Sequence, residues 1–259
     1  MSGTTDQPAR PLDGQAAIVT GGGRGVGRGI ALALSSAGAR VAIIERSTET
    51  FGDTLAEIER RGGTGIAVAC DIRHGDEVRD AVAQVVDQFG GLRILVNNAQ
   101  MITDAPLLDM SEESLDDMWR SGPLAAVRFM RECHPHLRHG GSVVNISSSS
   151  ASIAGPPGFA GYAAVKAALE TFSRAAAVEW GSEGIRVNAI QPRVRTPAFE
   201  KWERDHPREA AASIRVIPAG RLADAEADVG RVVVFLSSVD AAMVTGTIVP
   251  VDGGTNYVR

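Results

Sequence analysis

The chain has 259 residues, 44% hydrophobic and 22% charged, a length that suits one large α/β domain or two small ones. Its formal charge of −5 is spread along the chain, which argues against a basic surface for nucleic acid or an anionic membrane. The two cysteines, Cys70 and Cys133, lie far apart and favour reduced thiols in the cytoplasm, and no His/Cys spacing indicates a metal site. We expect neither a signal peptide nor a membrane span, because the opening is polar and no run approaches ~18 apolar residues.

After a polar tail at residues 1–13, which we expect to be flexible, short apolar runs alternate with amphipathic segments of helical period. The runs are apolar on both parities, as in strands that are covered on both faces. This alternation predicts right-handed βαβ units and a doubly wound parallel α/β sheet in one domain over residues 14–259. Strands are expected at Ala16–Thr20, Val41–Ile44, Gly65–Ala69, Ile94–Val96, Ser142–Ile146, Ile185–Ile190 and Thr247–Val251. Helices are expected at Gly25–Ala37, Thr50–Arg61, Asp76–Phe89, Ser111–Leu137, Tyr162–Trp180 and Ala223–Ser237.

Residues 193–222 form a long stretch without a clear pattern, with three prolines among mixed charges. A segment of this kind, late in a doubly wound fold, is interpreted as a mobile flap over a substrate site.

The first strand leads directly into TGGGRGVG at residues 20–27, and the first helical pattern begins inside this sequence. Glycines allow a tight turn there and let backbone N–H groups approach a pyrophosphate at the helix N-terminus. Because the cluster follows the first strand and opens a helix, it predicts a dinucleotide site rather than a flexible turn.

The second strand ends at Glu45 and Arg46, where a dinucleotide-binding fold meets the adenosine ribose. Glu45 can accept hydrogen bonds from the 2′-OH and repel a 2′-phosphate, whereas Arg46 and Arg24 would pair with that phosphate. An unpaired carboxylate facing a phosphate is costly, so these residues favour NAD, with NADP as the alternative. Asp71, at the end of the third strand, is placed either to contact the adenine edge or to cap a helix.

Tyr162 and Lys166 are four residues apart and therefore share one face of a helix. A cation beside a phenol stabilises the phenolate and lowers the tyrosine pKa from its usual value near ~10. Such a tyrosine can exchange a proton with a substrate oxygen while a hydride moves at carbon. A serine hydroxyl from the preceding loop could hold the same oxygen.

These motifs together resemble the short-chain dehydrogenase/reductase family, and the resemblance covers nearly the whole chain. It implies a single Rossmann-like domain with a seven-stranded parallel sheet, and a homo-oligomer (dimer or tetramer) built through the long fourth and fifth helices. The matching segments are TGGGRGVG at 20–27, Asp71, NNA at 97–99, the serine loop, Tyr162 with Lys166, IRVNAI at 185–190 and VTGTIVPVDGG at 244–254.

By this resemblance, Tyr162 is the acid/base, Lys166 binds the nicotinamide ribose and tunes Tyr162, and Asn97 lies under the cofactor. The catalytic serine is Ser148 by strand register and Ser149 by the family's usual spacing back from Tyr162; the register argument favours Ser148. Cofactor contacts are expected at Gly21, Arg24, Gly25, Val26, Gly27, Glu45, Arg46, Asp71, Ile72, Asn98, Ala99, Tyr162, Lys166 and Pro192.

Three positions depart from the family pattern. Gln100 follows Asn-Asn-Ala where the family has glycine, and Gly122 stands where the family commonly has an asparagine that serves a proton relay. Gly122 and Pro123 should also bend or break the predicted helix. The Pro-Gly pair after the sixth strand is replaced by Pro192-Arg193, with one residue lost.

The main hypothesis is an NAD(P)-dependent oxidoreductase that interconverts a secondary alcohol and a ketone, with a small molecule as its substrate. The departures motivate a second hypothesis, a cofactor-binding partner subunit or sensor with little or no redox activity. A lyase or isomerase that retains the cofactor is a third.

Overall fold

The structure is a computed structural model that describes residues 10–47, 49, 51–153 and 157–256. Most of the tail predicted at residues 1–13 therefore lies outside the described residues. The part that is described packs on the body of the protein: Leu12 is buried, and its N–H donates to the Ala37 carbonyl at 3.0 Å. Leu12 is therefore an apolar anchor for the chain just before β1.

Seven parallel strands form one sheet in the order β3-β2-β1-β4-β5-β6-β7, which confirms the predicted doubly wound architecture. Ala17 of the first strand pairs with Val41 on one side and with Ile94 on the other. The strand order reverses between these neighbours, and a ligand crevice is expected at the carboxyl ends of strands at such a point. The strands are β1 (Ala16–Thr20), β2 (Arg40–Glu45), β3 (Gly65–Ala69), β4 (Ile94–Asn97), β5 (Ser142–Ile146), β6 (Arg186–Pro192) and β7 (Ile248–Val251).

Helices cover both faces of the sheet, and the predicted segments differ from the observed ones in three places. One is the predicted helix Ala223–Ser237, which begins with a π-helical turn at Ala225–Gly230. The long helix expected over residues 111–137 is broken at Gly122, as expected from its Gly-Pro pair, and Pro123 begins the second part. In the described part of the chain, the α-helices are α1 (Gly25–Ser36), α2 (Gly52–Arg60), α3 (Gly75–Phe89), α4 (Glu112–Ser121), α5 (Pro123–Leu137), α6 (Ala160–Trp180), α7 (Pro197–Asp205), α8 (Pro207–Arg215) and α9 (Arg231–Ser237).

The third difference is that residues 193–222 contain two short helices, α7 and α8. Pro197 and Pro207 each occupy a first-turn position, where the missing N–H of proline costs nothing, and Thr196 caps α7 by accepting from Phe199 N–H at 3.1 Å. The sequence pattern did not indicate these helices, because each has only nine residues among mixed charges.

Two apolar clusters, one on each face of the sheet, form the core. Alternate residues of β1 divide between them: Ala16 and Ile18 belong to one cluster, and Ala17 and Val19 to the other. This division explains why the strands are apolar on both parities. Within the described ranges, no helix combines the length and the apolar composition that a bilayer crossing requires.

The first helix is held against a π-helical turn at Ala225–Gly230 by two glycines that allow close backbone approach. A Cβ on Gly29 would lie 2.4 Å from the Ala225 carbonyl carbon, and a Cβ on Gly230 would lie 2.5 Å from the Ala33 Cβ. Because α1 follows the glycine-rich turn, this contact helps to fix the direction of the helix that carries the turn.

We expect Gly29→Ala to lower the free energy of unfolding by about 2 kcal/mol, since neither backbone can yield without moving the helix. Chemical denaturation followed by circular dichroism measures this change. Gly52→Ala is the matched control, because a Cβ there meets nothing within 4 Å and alanine favours the helix. Equal effects from the two variants would contradict the close packing.

Candidate active site

A cleft runs along the carboxyl edge of the sheet and consists of two cavities, of about 420 Å³ and about 530 Å³. Val26, Asn98 and Gln100 line both cavities and join them. The first cavity brings together the predicted residues Gly21, Arg24, Val26, Gly27, Glu45, Arg46, Asp71, Ile72, Asn98 and Ala99. The second contains Ser148, Ser149, Tyr162, Lys166 and Pro192. Gly25 lines neither of them and instead begins α1 with a φ of +54°.

The glycine-rich turn lies directly under the first cavity and is braced from the neighbouring strand. Asn98 Nδ2 donates to the carbonyls of Thr20 and Gly21, at 2.9 and 3.2 Å. A Cβ on Gly27 would lie 2.0 Å from the Gly21 oxygen, so position 27 has no room for a side chain. Thr20 completes the brace by accepting from the N–H groups of Asn98 and Ala99, a role that its ordinary position in a strand did not reveal.

The N-terminus of α1 has the features that an anion site requires. Arg24 at its N-cap makes no side-chain capping bond, and the first turn contains no acidic residue. The helix-end N–H groups and the positive end of the helix dipole are therefore directed at the cavity, as a pyrophosphate needs. These residues fit a dinucleotide.

Glu45 is anchored to the glycine turn at the far end of the first cavity. One carboxylate oxygen accepts from Gly23 N–H at 2.9 Å, and the Gly23 carbonyl accepts from the buried Thr54 hydroxyl at 3.0 Å. Arg24 and Arg46 line the same cavity. Charges of both signs therefore surround the place where a ribose hydroxyl or phosphate would bind.

Asp71 also lies in the first cavity, where Arg73 holds it as a carboxylate. The guanidinium donates to both Asp71 oxygens and to Asp117 at 3.0 Å, and the bonds from Arg73 lower the pKa of Asp71 to about 2. The helix-cap alternative for Asp71 is not observed, because His74 is the N-cap residue of α3. Asp71 instead accepts from the N–H of Arg73 at 3.0 Å, two residues along the chain.

The sixth helix brings Tyr162 and Lys166 onto one face, with the ammonium nitrogen 5.5 Å from the centre of the phenol ring. Lys166 is 3% exposed, and its Nζ donates to the Ile146 carbonyl at the end of β5, at 2.7 Å. Burial lowers the pKa of Lys166 to about 8, and nearby Glu170 opposes this shift. The ammonium therefore keeps its charge at neutral pH.

Burial also raises the pKa of Tyr162, and a hydrogen bond with Ser148 opposes the rise. The lowering expected from Lys166 is therefore not observed, because desolvation of the phenol dominates, which the four-residue spacing could not reveal. Tyr162 consequently stays protonated at neutral pH.

Ser148 and Ser149 both line the second cavity but differ in their contacts. Ser148 makes the hydrogen bond that opposes the rise in the Tyr162 pKa, while Ser149 begins a short 3₁₀ turn at Ser149–Ala151. The Ser150 N–H donates to Ser148 Oγ at 3.2 Å and helps to orient that hydroxyl.

A buried polar group beneath these residues was missed from the sequence. Glu170 accepts from the Ser147 hydroxyl at 2.5 Å and from Gln191 Nε2 at 2.7 Å, which links α6 to β5 and β6. Glu170 lies four residues after Lys166, so the repeat of Tyr162, Lys166 and Glu170 along one face was the available signal.

The structure also locates two other positions that the sequence singled out. Asn97 does not lie in the open cleft; its side chain donates to Asn145 at 2.8 Å and lines a small enclosed cavity behind it. Arg193, which replaces the glycine of the Pro-Gly pair, lines the second cavity and donates to the Ser213 carbonyl of α8 at 2.8 Å. The residue that departs from the family pattern thus joins β6 to the segment at 193–222.

Known proteins with similar sequences are dehydrogenases and reductases. A family model described as "Enoyl-(Acyl carrier protein) reductase" matches residues 21–256. A 12alpha-hydroxysteroid dehydrogenase from Clostridium sp. is 36% identical over 252 residues, covering 94% of this chain and 97% of the relative. A versicolorin reductase from Emericella nidulans is 34% identical over 256 residues, covering 94% and 96%.

A similar solved structure is a short chain dehydrogenase from Burkholderia cenocepacia in complex with NADP. It is 34% identical to this chain and superposes with a TM-score of 0.87, covering 95% of this chain and all (100%) of the other.

Removing the Lys166 charge should change how stability depends on pH. The folded-state pKa lies below that of an unfolded lysine, so between about pH 8 and pH 10 the unfolded chain binds more protons and stability rises with pH. Relative to Lys166→Met, the wild-type free energy of unfolding should rise by up to about 1.4 kcal/mol per pH unit over this range. Urea unfolding at four pH values measures the difference.

Lys201→Met is the control, because Lys201 is exposed and its replacement should leave the pH dependence unchanged. Parallel pH curves for the wild type and Lys166→Met would show that Lys166 does not titrate as a desolvated ammonium.

Proposed function

The chain belongs to the short-chain dehydrogenase/reductase family, and from this premise we propose that Tyr162 is the acid/base in the interconversion of a secondary alcohol and a ketone. The protein is an NAD(P)-dependent oxidoreductase, and its dehydrogenase and reductase relatives favour redox chemistry over a cofactor-binding sensor. The observation that carries the proposal is the convergence of Ser148, Tyr162 and Lys166 in the second cavity, next to a dinucleotide cradle.

The residues of the second cavity have complementary parts in this reaction. For ketone reduction, the Tyr162 phenol gives its proton to the carbonyl oxygen, and the Ser148 hydroxyl donates a hydrogen bond to the same oxygen. Lys166 stabilises the phenolate that remains and is placed to bind the nicotinamide ribose. When bound, the nicotinamide supplies the hydride for reduction and accepts it for oxidation. Alcohol oxidation requires the Tyr162 phenolate, so we propose that it is favoured at higher pH.

We propose that the first cavity binds the adenosine half of the cofactor and that NAD is preferred. Glu45 supports this preference, because its carboxylate is fixed by the Gly23 amide beside the ribose site and would repel a 2′-phosphate. The remaining contacts proposed for the cofactor are the glycine turn, Arg24, Arg46, Asp71, Ile72, Asn98, Ala99 and Pro192. The bound NADP of the Burkholderia cenocepacia structure is a property of that relative.

The cofactor preference can be tested by fluorescence titration with NADH and NADPH in parallel. We expect NADH to bind more tightly than NADPH. Glu45→Gln should reduce the ratio of the two dissociation constants by about 10-fold, because glutamine keeps the oxygen that Gly23 contacts and loses only the charge. Asp53→Asn serves as the control, because it removes the charge of an exposed side chain that lies outside the first cavity. Tighter binding of NADPH by the wild type would reverse the assignment.

The second cavity suits a bulky apolar alcohol or ketone as the substrate class. Ile102 and Ile153 line it and are 54% and 50% exposed, so they offer apolar surface to a ligand. The names of the relatives, a hydroxysteroid dehydrogenase and a versicolorin reductase, point to polycyclic substrates. We propose that the segment at 193–222 is the flap over this cavity, since Arg193, Val194 and Thr196 already line it.

We further propose one catalytic domain over residues 14–259, cytoplasmic and assembled as a homodimer or homotetramer. Exposed apolar side chains on two helices support assembly. They are Leu115 and Trp119 on α4, and Phe172 and Val178 on α6. The two free, buried cysteines are consistent with a reducing compartment.

Tyr162→Phe should lower kcat at least 1,000-fold on an identified polycyclic ketone, because the ring stays in place and only the proton donor is lost. Binding of NADH should change less than about threefold. Steady-state absorbance of the nicotinamide and the fluorescence titration measure the two quantities separately. Full turnover by Tyr162→Phe would rule out the proposed mechanism.

The same assay distinguishes the serines. Ser148→Ala should lose about 100-fold in kcat, whereas Ser149→Ala should lose less than about threefold, since Ser148 hydrogen-bonds Tyr162. The opposite order would assign the role to Ser149.

A further inference from the structure

Gln100 and Gly122, two of the positions that depart from the family pattern, are in direct contact. Gln100 Nε2 donates to the carbonyls of Met101 and Met118, both at 3.0 Å. Because a carbonyl can only accept, these two bonds fix which end of the side-chain amide is nitrogen. The oxygen Oε1 must therefore point the other way, away from both carbonyls.

The space for this amide exists because Gly122 has no side chain. A Cβ at position 122 would lie 2.3 Å from Gln100 Oε1 and 2.8 Å from Nε2. The Met118 carbonyl also accepts from Gly122 N–H at 3.0 Å, so Gln100 bonds to the last turn of α4, where the chain breaks. Gln100 and Gly122 thus form a complementary pair that holds the break between α4 and α5.

The Gln100 oxygen is directed into the protein and is buried, and no donor for it occurs among the described residues. Gln100, Gly122 and Lys166 line the same enclosed cavity, which leaves about 10 Å³ for the centre of a water molecule, roughly the room that one water needs. Lys166 has three N–H donors, and its bond to Ile146 uses one of them. A residue with an unpaired buried acceptor and a residue with a buried ammonium therefore line one small cavity.

We propose that Gln100 is a positioning residue for Lys166: its amide nitrogen holds the α4–α5 break, and its oxygen stabilises the Lys166 ammonium through one water in the shared cavity. The inference rests on the proposed function, in which that ammonium stabilises the Tyr162 phenolate. Burying an acceptor or an ammonium without a hydrogen-bond partner carries a free-energy penalty. A water that bonds to both groups lowers the penalty for each of them.

Few other charges compete for Lys166. Tyr162 and Glu170 approach it from its own helix, and Arg193 faces it across the open second cavity. None of the other residues that line the cavity shared with Gln100 is titratable. A change at Gln100 should therefore alter the Lys166 pKa directly and not through another ionisable group.

The chain contains only two lysines, Lys166 and Lys201, which allows a direct test. In NMR spectra, protein labelled with ¹³C-lysine should give two side-chain Cε signals. The signal that disappears in Lys166→Met belongs to Lys166, and the other belongs to Lys201. We expect the wild-type Lys166 pKa near 8. Gln100→Met, which keeps the length and removes the oxygen, should lower this pKa by about one pH unit. Gln100→Glu should raise it, because a carboxylate favours the ammonium.

Lys201 is exposed and distant in sequence from Gln100, so its signal serves as the internal reference in every spectrum. The inference is wrong if the Lys166 pKa in both variants lies within about 0.2 pH units of the wild-type value. That margin is roughly the precision of such titrations and a small part of the expected shift. A role limited to holding the helix break would leave the Lys166 titration unmoved.

A second measurement tests the contact itself and needs no titration. Gly122→Ala should lower the melting temperature strongly in the wild type, and by less than half as much when Gln100 is already alanine. Additive losses would show that the two positions are independent.

The two proposals can fail separately. If Tyr162→Phe is inactive but Gln100→Met leaves the Lys166 pKa unchanged, the proposed function stands and the role of Gln100 falls. If the pKa moves but Tyr162→Phe keeps full turnover, the contact is real and the assigned chemistry is wrong.

Discussion

The buried ammonium of Lys166 is the constraint on which the reactive half of the cleft depends. A charge that is 3% exposed must be compensated, and the protein supplies the Ile146 carbonyl, the nearby Glu170 and the face of Tyr162. Each of these contacts fixes an element: the end of β5, the interior of α6 and the phenol itself. Desolvation also lowers the pKa of Lys166 to about 8, which is close to neutral pH.

The glycine turn of the adenosine half is held largely by uncharged groups. Asn98 and Thr20 tie the end of β4 to the turn, and Gly29 lets α1 pack closely against the π-helical turn. The Glu45 carboxylate adds one charged contact, to the Gly23 amide. The two halves meet at Val26, Asn98 and Gln100, so a single short segment after β4 touches both.

The strands and the long helices were predictable because burial on both faces and a 3.6-residue period are properties of the local sequence. Gly27, Glu45 and Tyr162 were predictable because chain order places them at strand ends or on one helix face. The π-helical start of the segment before α9 was not, since it follows from packing against α1. Desolvation of Tyr162 and the contact between Gln100 and Gly122 depend on residues distant in sequence, which no local period reports.

The contact between positions 100 and 122 also couples substitutions at these two positions. With the Gln100 amide where it lies, a Cβ at 122 would be 2.3 Å from its oxygen, so a side chain at 122 requires that the amide move away. The amide would then lose its bond to the Met118 carbonyl, and the last turn of α4 would lose a cross-link to the segment after β4. One added methyl group at 122 would therefore be felt at the mouth of the cleft.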